Sequence, residues 1–180
     1  MKITTTPIEG ILIIEPQIFK DSRGYFFESY NQDKMQEAGI NLQFVQDNQS
    51  LSQKGAVRGL HFQAPPFEQG KLVRVAKGAV NDVVVDIRKN SPTYGQNFTI
   101  ELSAENQMMF WIPPGFAHGF ETLEDDTLFL YKCTNMYSKV SEGGLFWNDP
   151  NLGIQWKTME PIVSDKDQIL PLFKDFTSPF

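Results

Sequence analysis

Residues 71–88, KLVRVAKGAVNDVVVDIR, contain two apolar runs of strand length that meet at Gly78. Glycine adopts positive φ without steric cost, so Gly78 indicates a turn between two strands. Similar runs recur along the chain between turn residues: GILIIEP (10–16), GYFFESY (24–30), LQFVQDN (42–48), AVRGLHFQ (56–63), NFTIELS (97–103), MMFWIPPG (108–115), HGFETL (118–123) and TLFLYKCT (127–134). Ten short strands without long helical segments between them predict an all-β sandwich or barrel.

Two segments are typical of short helices. Residues 31–39 begin with Asn31, a good N-cap residue, and end at Gly39. Residues 164–173 begin with Ser164, and Asp167 follows at the spacing of a capping box. Pro171 limits this second helix to little more than a turn or two.

Length and charge narrow the class of protein. A chain of 180 residues fits one domain over residues 1–180. The net charge of −6 argues against nucleic acid or an anionic membrane as a partner, so a bound phosphate requires a local cationic cluster. The N-terminal residues do not resemble a signal peptide, and no apolar stretch approaches the length of a membrane span, which predicts a cytoplasmic protein. The single cysteine, Cys133, is expected to be an inert core residue.

Strand alternation indicates which side chains share a face. Tyr131 falls on the same face as Phe129 and Cys133, so its hydroxyl needs a partner or a function if that face is interior. In AVRGLHFQ, Arg58 and His61 fall on opposite faces of a regular strand. If both side chains reach one cavity, we expect a bulge near Gly59 or a rim position for Arg58.

The two histidines, His61 and His118, permit two kinds of chemistry. A metal site of the kind built on β-barrels gathers two or three imidazoles, and this chain has too few histidines to make one without several carboxylates. Proton transfer needs only one imidazole, a carboxylate that holds its tautomer and an acid elsewhere in the cavity. Taken alone, His61 is also consistent with a core histidine bonded to a backbone carbonyl.

Several residues suit the binding of an anion or a nucleotide base. The cations Arg23, Arg58 and Lys71 lie next to a glycine or a turn, where they can reach phosphate oxygens, although each is equally consistent with a solvated charge. Glu28, Gln46 and Asn48 offer hydrogen-bonding groups for a base edge. Simpler roles remain open, because Asn48 suits a turn, Asp167 suits a helix cap and His118 suits a turn.

Taken together, these segments resemble the dTDP-4-dehydrorhamnose 3,5-epimerase (RmlC) family of rhamnose biosynthesis. The resemblance runs in order through PIEGILIIEPQIFKDSRGYFFESYN, FVQDNQS, RGLHFQ, KLVRVAKGAVNDVVVDIRKNSPTYG, WIPPGFAHGF, YKCTNMY, SEGG, WNDPNLGIQW and SDKD, and covers nearly the whole chain. It implies a cupin-like β-barrel or jelly roll that uses no metal or other cofactor. It also implies a dTDP-sugar substrate, dTDP-4-dehydro-6-deoxyglucose, and a homodimer in which N-terminal residues serve the neighbouring subunit's site.

The resemblance also assigns roles to individual residues. His61 inherits the role of the base, Asp167 that of its partner, Tyr131 that of the proton donor, and Tyr137 that of the aromatic ring stacked on thymine. From the chemistry of a ketone flanked by acidic hydrogens, Lys71 suits stabilisation of the enolate. The remaining substrate-binding positions are Arg23, Glu28, Gln46, Asp47, Asn48, Arg58, Lys71, His118, Glu142 and Lys166. The APPFEQG loop before Lys71 is distinctive, and the resemblance gives it no role.

Three alternatives to a double epimerase stay open on the sequence. The first is an epimerase that acts at only one carbon, or a sugar-nucleotide ketoisomerase on the same barrel. The second is a carbohydrate-binding or nucleotide-sugar-binding jelly roll without catalysis, which has no need for a complete set of base, acid and enolate-stabilising residues. The third is a metal-dependent oxygenase, which predicts bound metal and sensitivity to chelators.

Overall fold

A computed structural model describes all residues from 1 to 180. The strands, in chain order, are β1 (Lys2–Thr5), β2 (Leu12–Glu15), β3 (Phe19–Asp21), β4 (Gly24–Phe26), β5 (Gln46–Ser52), β6 (Ala56–Gln63), β7 (Lys71–Lys77), β8 (Ala79–Asp86), β9 (Asn97–Ser103), β10 (Met109–Ile112), β11 (Phe116–Thr122), β12 (Thr127–Cys133), β13 (Glu142–Gly144) and β14 (Ile162–Val163). The helices are α1 (Gln32–Glu37) and α2 (Asp165–Gln168), and 3-10 turns cover Lys139–Ser141 and Phe173–Asp175. No helix is both long enough and apolar enough to cross a bilayer.

Two six-stranded sheets form a jelly roll of the cupin-like kind. The first sheet has the order β1-β2-β10-β7-β12-β5, and the second has the order β13-β6-β11-β8-β9 with β14 parallel to β6. Strands β3 and β4 form a separate hairpin. The all-β prediction is confirmed, and Gly78 does connect β7 to β8 with a φ of 78°.

The main core lies between the two sheets. Alternate residues of the first sheet, among them Val73, Phe110 and Phe129, meet Val84 and Phe120 of the second. Phe120 and Phe129 stack with ring centroids 4.1 Å apart, so the sheets are in direct contact at this point. Beyond this core, the inward-facing positions of the same strands carry polar side chains, such as Tyr131 after Phe129 and His118 before Phe120. These side chains form the candidate site.

Other segments cover the outer faces of both sheets. Helix α1 packs Met35 against Leu72 and Trp111 on the outside of the first sheet. The chain after β13 crosses the outside of the second sheet, where Leu145 and Leu152 join a second apolar cluster. This C-terminal segment then returns to β6 as β14 and α2, so packing on the outer face determines where α2 lies.

Strand β6 contains the predicted bulge. His118 pairs with His61 and Phe120 pairs with Arg58, so Gly119 alone opposes Gly59 and Leu60. Gly59 has a φ of +126°, which an L residue with a side chain rarely adopts. The extra residue turns Arg58 and His61 toward the same cavity, which a regular strand would prevent.

The helix caps agree with the predictions, whereas several strand bounds differ. The side chains of Asn31 and Ser164 accept hydrogen bonds from the backbone of α1 and α2, respectively. The run LQFVQDN becomes a strand only from Gln46 onward. Strands β1, β3, β13 and β14 were not predicted, because each has four residues or fewer, too short for a clear alternation of apolar and polar residues, and is held by pairing with another strand.

Candidate active site

A cavity of about 540 Å³ opens between the two sheets, beside the bulge in β6. A second cavity of about 370 Å³ adjoins it, and His61, Lys71 and Tyr131 line both. The predicted site residues divide between them: Arg58, His118, Lys166 and Asp167 line the first cavity, and Gln46, Asn48, Tyr137 and Glu142 line the second. The structure therefore brings together eleven of the residues predicted from the sequence in one continuous cleft.

His61 forms a close polar contact with Asp167. Its Nε2 lies 2.6 Å from Oδ1 of Asp167, and its side chain is 32% exposed against 5% for Asp167. Burial acts to raise the pKa of Asp167, but the hydrogen bonds from His61 and the Gly59 amide outweigh it, so the pKa lies below its usual value. An ionised Asp167 accepts the Nε2 proton and leaves Nδ1 of His61 available to accept another.

Local structure explains how Asp167 reaches the strand that carries His61. The Ser164 side chain caps α2 by accepting the Asp167 amide, at 3.2 Å. The Asp167 carboxylate turns away from the helix, and its Oδ2 accepts the Gly59 amide at 3.2 Å. The bulge supplies that amide, so one irregularity of β6 both aims His61 and anchors its partner.

His118 forms a second pair with Asp82, deeper in the barrel. His118 Nε2 lies 3.0 Å from both carboxylate oxygens, and the side chains are 7% and 0% exposed. Burial lowers the pKa of His118 more than Asp82 raises it, so the ring is neutral at pH 7. Sequence reasoning missed Asp82; the available signal was an acidic residue within the otherwise apolar strand sequence AVNDVVVD.

Lys71 enters the cleft from the start of β7. Burial lowers its pKa, and the neighbouring Cys133, Asp82 and Glu142 act in the opposite direction. A cationic group placed among acidic groups in a buried site is suited to an anion that develops nearby. Lys71 is also the only lysine that lines both cavities.

Tyr131 approaches from the first sheet, opposite the strand that carries His61. It follows Phe129 on the inner face of β12, as the alternation predicts, and their rings are 6.0 Å apart. Burial raises the pKa of the Tyr131 hydroxyl, and Arg58 acts to lower it. The phenol is therefore protonated at neutral pH and is able to donate a proton.

At the rim of the cleft, Glu142 of β13 forms hydrogen bonds with α2 and with the segment that contains Tyr137. Lys166 Nζ of α2 lies 2.5 Å from Glu142 Oε1 on β13, and the Tyr137 hydroxyl donates to Oε2 at 3.2 Å. Burial acts to raise the pKa of Glu142, but the hydrogen bond from Lys166 outweighs it and the pKa is lowered. On the opposite side of the rim, Arg58 Nε donates to the Ser52 hydroxyl at 3.1 Å.

Three predicted residues lie outside the cleft of the single chain. Arg23 projects from the β3–β4 hairpin, 87% exposed, and pairs with Asp21 at 2.5 Å. Glu28 pairs with Lys34 of α1. Asp47 lies on the outer face of β5, where its carboxylate is 2.9 Å from Lys132 Nζ. Strand alternation explains the last position, since Gln46 and Asn48 face inward and the residue between them cannot.

Comparison with known proteins places this cleft in a family. The family model of dTDP-4-dehydrorhamnose 3,5-epimerase matches residues 5–175. The chain belongs to this epimerase family. An epimerase of that name from Salmonella typhimurium is 54% identical over 174 residues, which is 96% of this chain and 95% of the relative.

Solved structures of epimerases agree with the assignment of the family. A dTDP-4-dehydrorhamnose 3,5-epimerase from Elizabethkingia anophelis superposes with a TM-score of 0.93 at 50% identity, over 97% of each chain. A dTDP-6-deoxy-D-glucose-3,5-epimerase from Legionella pneumophila, in complex with dTDP-4-keto-L-rhamnose, gives a TM-score of 0.95 at 47% identity, over 98% of this chain and 94% of that one.

A solved structure with the same fold and lower sequence identity is that of a monoepimerase. A 3'-monoepimerase from Streptomyces bikiniensis, in complex with dTDP-quinovose, superposes with a TM-score of 0.88 at 34% identity, over 93% of this chain and 85% of that one. The epimerase fold alone therefore does not determine how many carbons are inverted.

The structure contains no group of three or more histidine, cysteine, aspartate or glutamate side chains suited to holding a metal ion. The independence of metals and other cofactors stays a prediction from the sequence.

Proposed function

We propose that the chain converts dTDP-4-dehydro-6-deoxy-D-glucose into dTDP-4-dehydro-L-rhamnose by inverting carbons 3 and 5. The observation that carries this proposal is the His61–Asp167 pair, 2.6 Å apart, in a cleft whose other wall carries Tyr131. A base on one sheet and an acid on the other is the arrangement that an inversion requires, because the proton must leave one face of the carbon and return to the opposite face.

His61 serves as the base. The ketone at carbon 4 makes the hydrogens on carbons 3 and 5 acidic, and a neutral imidazole accepts a proton near pH 7. Asp167 fixes the tautomer through Nε2 and stabilises the imidazolium that forms. Its anchoring by the Gly59 amide keeps this pair in one geometry throughout the reaction.

Lys71 and Tyr131 complete the proton transfer. Removal of a proton places negative charge on the ketone oxygen, and the Lys71 ammonium stabilises that enolate. The Tyr131 hydroxyl, which burial keeps protonated, then donates a proton to the opposite face of the carbon. Before the second carbon reacts, His61 releases its proton to solvent and the Tyr131 phenolate takes up a proton from solvent, so that both groups return to their starting protonation states.

The nucleotide part of the substrate positions the sugar. Arg58 and Lys166 supply the cations for the diphosphate at the rim of the first cavity. Tyr137 offers an aromatic face to the base, and Gln46, Asn48 and Glu142 supply polar groups along the second cavity. This cluster lets a protein with a net charge of −6 bind an anion. A cytoplasmic location stays a prediction from the sequence.

The active assembly in this proposal is a homodimer. Arg23 sits on an exposed hairpin, where Phe19, Tyr25 and Phe26 expose more than half of their surface. Exposed aromatic residues of this number favour a protein partner over solvent. A second copy that receives this hairpin brings Arg23 and Glu28 to the substrate, which accounts for their distance from the cleft of their own chain.

The experiment that tests the proposal is replacement of the base by His61→Asn. Asparagine keeps a polar side chain of similar reach but cannot accept a proton at neutral pH. We expect turnover of the dTDP-4-keto sugar to fall by at least about a hundredfold. Binding of dTDP, measured by calorimetry, should be unchanged, and undiminished turnover would show that His61 is not the base.

A second candidate is an epimerase that inverts one carbon, favoured by the similarity to the Streptomyces bikiniensis 3'-monoepimerase. It uses the same base and acid but does not present the second carbon to them. The position of solvent deuterium in the product distinguishes the two reactions.

A further inference from the structure

Gln63 is a buried amide that the proposed reaction does not use. It lies at the end of β6, two residues after His61, and is 6% exposed. Its Nε2 donates to the carbonyl oxygens of Phe67, at 2.6 Å, and Met136, at 3.1 Å. Its Oε1 accepts the Ser138 amide at 2.7 Å. One side chain thus binds the backbone on both sides of Tyr137.

Gln46 holds the same segment from the other sheet. Its Oε1 accepts the backbone amide of Tyr137 at 2.9 Å. Residues 136–138 are therefore bound by two glutamines, one on β5 and one on β6, while the Tyr137 ring itself is 57% exposed at the cleft. The Tyr137 hydroxyl also donates to Glu142, so the position of the ring depends both on this bond and on a backbone held by the two glutamines.

The APPFEQG loop, residues 64–70, forms hydrogen bonds with the two residues that immediately precede this segment. Gln69 Nε2 donates to the Asn135 carbonyl at 2.7 Å, and the Gly70 amide donates to the Thr134 hydroxyl at 2.7 Å. Gln63 also binds Phe67 of the APPFEQG loop. Gln63 therefore links both this loop and residues 136–138 to β6, the strand that carries His61.

We propose that Gln63 is a positioning residue for nucleotide recognition. Its side chain also lines the second cavity, but all three of its hydrogen bonds go to the backbone; it fixes the backbone that presents the Tyr137 ring to the base, and so acts through Tyr137. This inference rests on the proposed function, because it takes the Tyr137 side of the cleft as the subsite for the nucleotide base. A ring already held in its binding position loses less conformational entropy when the base stacks on it, so affinity rises without any change in the proton transfer.

The test compares Gln63→Met with a matched control, Gln107→Met. Methionine keeps the length of the side chain and removes all three hydrogen bonds. Gln107 is 8% exposed and lies in the connection between β9 and β10, so its replacement measures the effect of changing a buried glutamine elsewhere. We expect Gln63→Met to weaken dTDP binding and raise KM by about tenfold, with kcat and its pH profile unchanged. Gln107→Met should leave all of these values unchanged.

A double-mutant cycle shows whether Gln63 acts through the ring. In a Tyr137→Ala background, Gln63→Met should have almost no further effect on the dissociation constant of dTDP. If Gln63→Met does not fold, as judged by its thermal melt, Gln63→Glu replaces it in the same cycle, because it keeps the acceptor for Ser138 and removes both donated bonds.

Two results would overturn the inference: dTDP binding equal to that of the unmodified chain, or a full further loss of affinity in the Tyr137→Ala background. Binding of dTDP is measured without turnover, so these outcomes are independent of whether the chain epimerises the sugar. A chain that binds dTDP but does not turn over the keto sugar would contradict the proposed function and leave the role of Gln63 intact.

Discussion

The two histidines of the chain stand in different environments. His61 is partly exposed to the cleft and holds an ionised Asp167, so proton uptake at Nδ1 produces an imidazolium beside a carboxylate. His118 is buried in the wall of the first cavity, with 7% of its side chain exposed, and burial lowers its pKa, so it does not readily take up a proton. The two environments therefore support the proposed role of His61 as a base and leave His118 as a neutral hydrogen-bonding group.

Tyr131→Phe separates the removal of a proton from its return. The variant keeps the aromatic contact with Phe129 and loses only the hydroxyl. We expect His61 still to exchange a sugar hydrogen with solvent, while formation of the inverted product falls by about a hundredfold or more. Mass spectrometry of substrate recovered from D₂O measures the exchange, and chromatography measures the product. Inversion at the rate of the unmodified chain would exclude Tyr131 as the donor.

Single residues could be predicted where a motif identifies their chemistry. The family resemblance assigned roles to His61, Tyr131 and Asp167, the chemistry of the ketone indicated Lys71, and the structure brings all four to one cleft. Asp82 was missed because its role depends on His118 of a neighbouring strand, which no local pattern contains.

At the level of the elements, the bulge in β6 connects fold and chemistry. Alternation predicted that Arg58 and His61 could share a cavity only with a bulge near Gly59 or with Arg58 at the rim, and the structure contains the bulge. The short strands β13 and β14 could not be predicted in the same way. Each is held by pairing with β6, so its existence depends on contacts between distant parts of the chain.

Gly59→Ala tests whether the close approach of β11 requires glycine at this bulge, and Gly24→Ala is its control. The two glycines have φ values of +126° and +131°, so the backbone penalty for alanine is similar. A Cβ at Gly59 would lie 2.6 Å from the Gly119 Cα and 2.8 Å from the His118 carbonyl oxygen, whereas nothing lies within 4 Å of one at Gly24.

We therefore expect Gly59→Ala to lower the free energy of unfolding by about 1 to 3 kcal/mol more than Gly24→Ala does. Urea denaturation followed by circular dichroism measures both values. Equal losses for the two variants would show that the backbone, and not the contact with β11, requires glycine at the bulge.

At the scale of the whole molecule, charge and assembly shape the site. Although the net charge is −6, the cationic side chains of Arg58 and Lys166 lie together at the rim of one cleft. Composition alone does not reveal this local cluster. The position of Arg23 on an exposed hairpin is the strongest structural reason to propose a dimer with shared sites. The sequence predicted a strand over residues 24–30, which includes β4, but it predicted neither β3 nor the position of the hairpin relative to a second copy of the chain.

Mixing two inactive variants tests the shared site. Arg23→Ala and His61→Asn each disable every site of their own homodimer if Arg23 serves the neighbouring subunit. A mixed dimer then contains one site with both defects and one site with neither. After unfolding and refolding an equal mixture, we expect about a quarter of the activity of the unmodified protein. Activity no higher than that of the two variants measured separately would place Arg23 and His61 in the same subunit's site or outside it.

The most direct test of the central claim is turnover of dTDP-4-dehydro-6-deoxy-D-glucose in D₂O, with the product examined by NMR. Each inversion removes one carbon-bound hydrogen and returns one derived from solvent. The account predicts deuterium at both carbon 3 and carbon 5 of a product with the L-rhamno configuration. Deuterium and inversion at only one of the two carbons would contradict it.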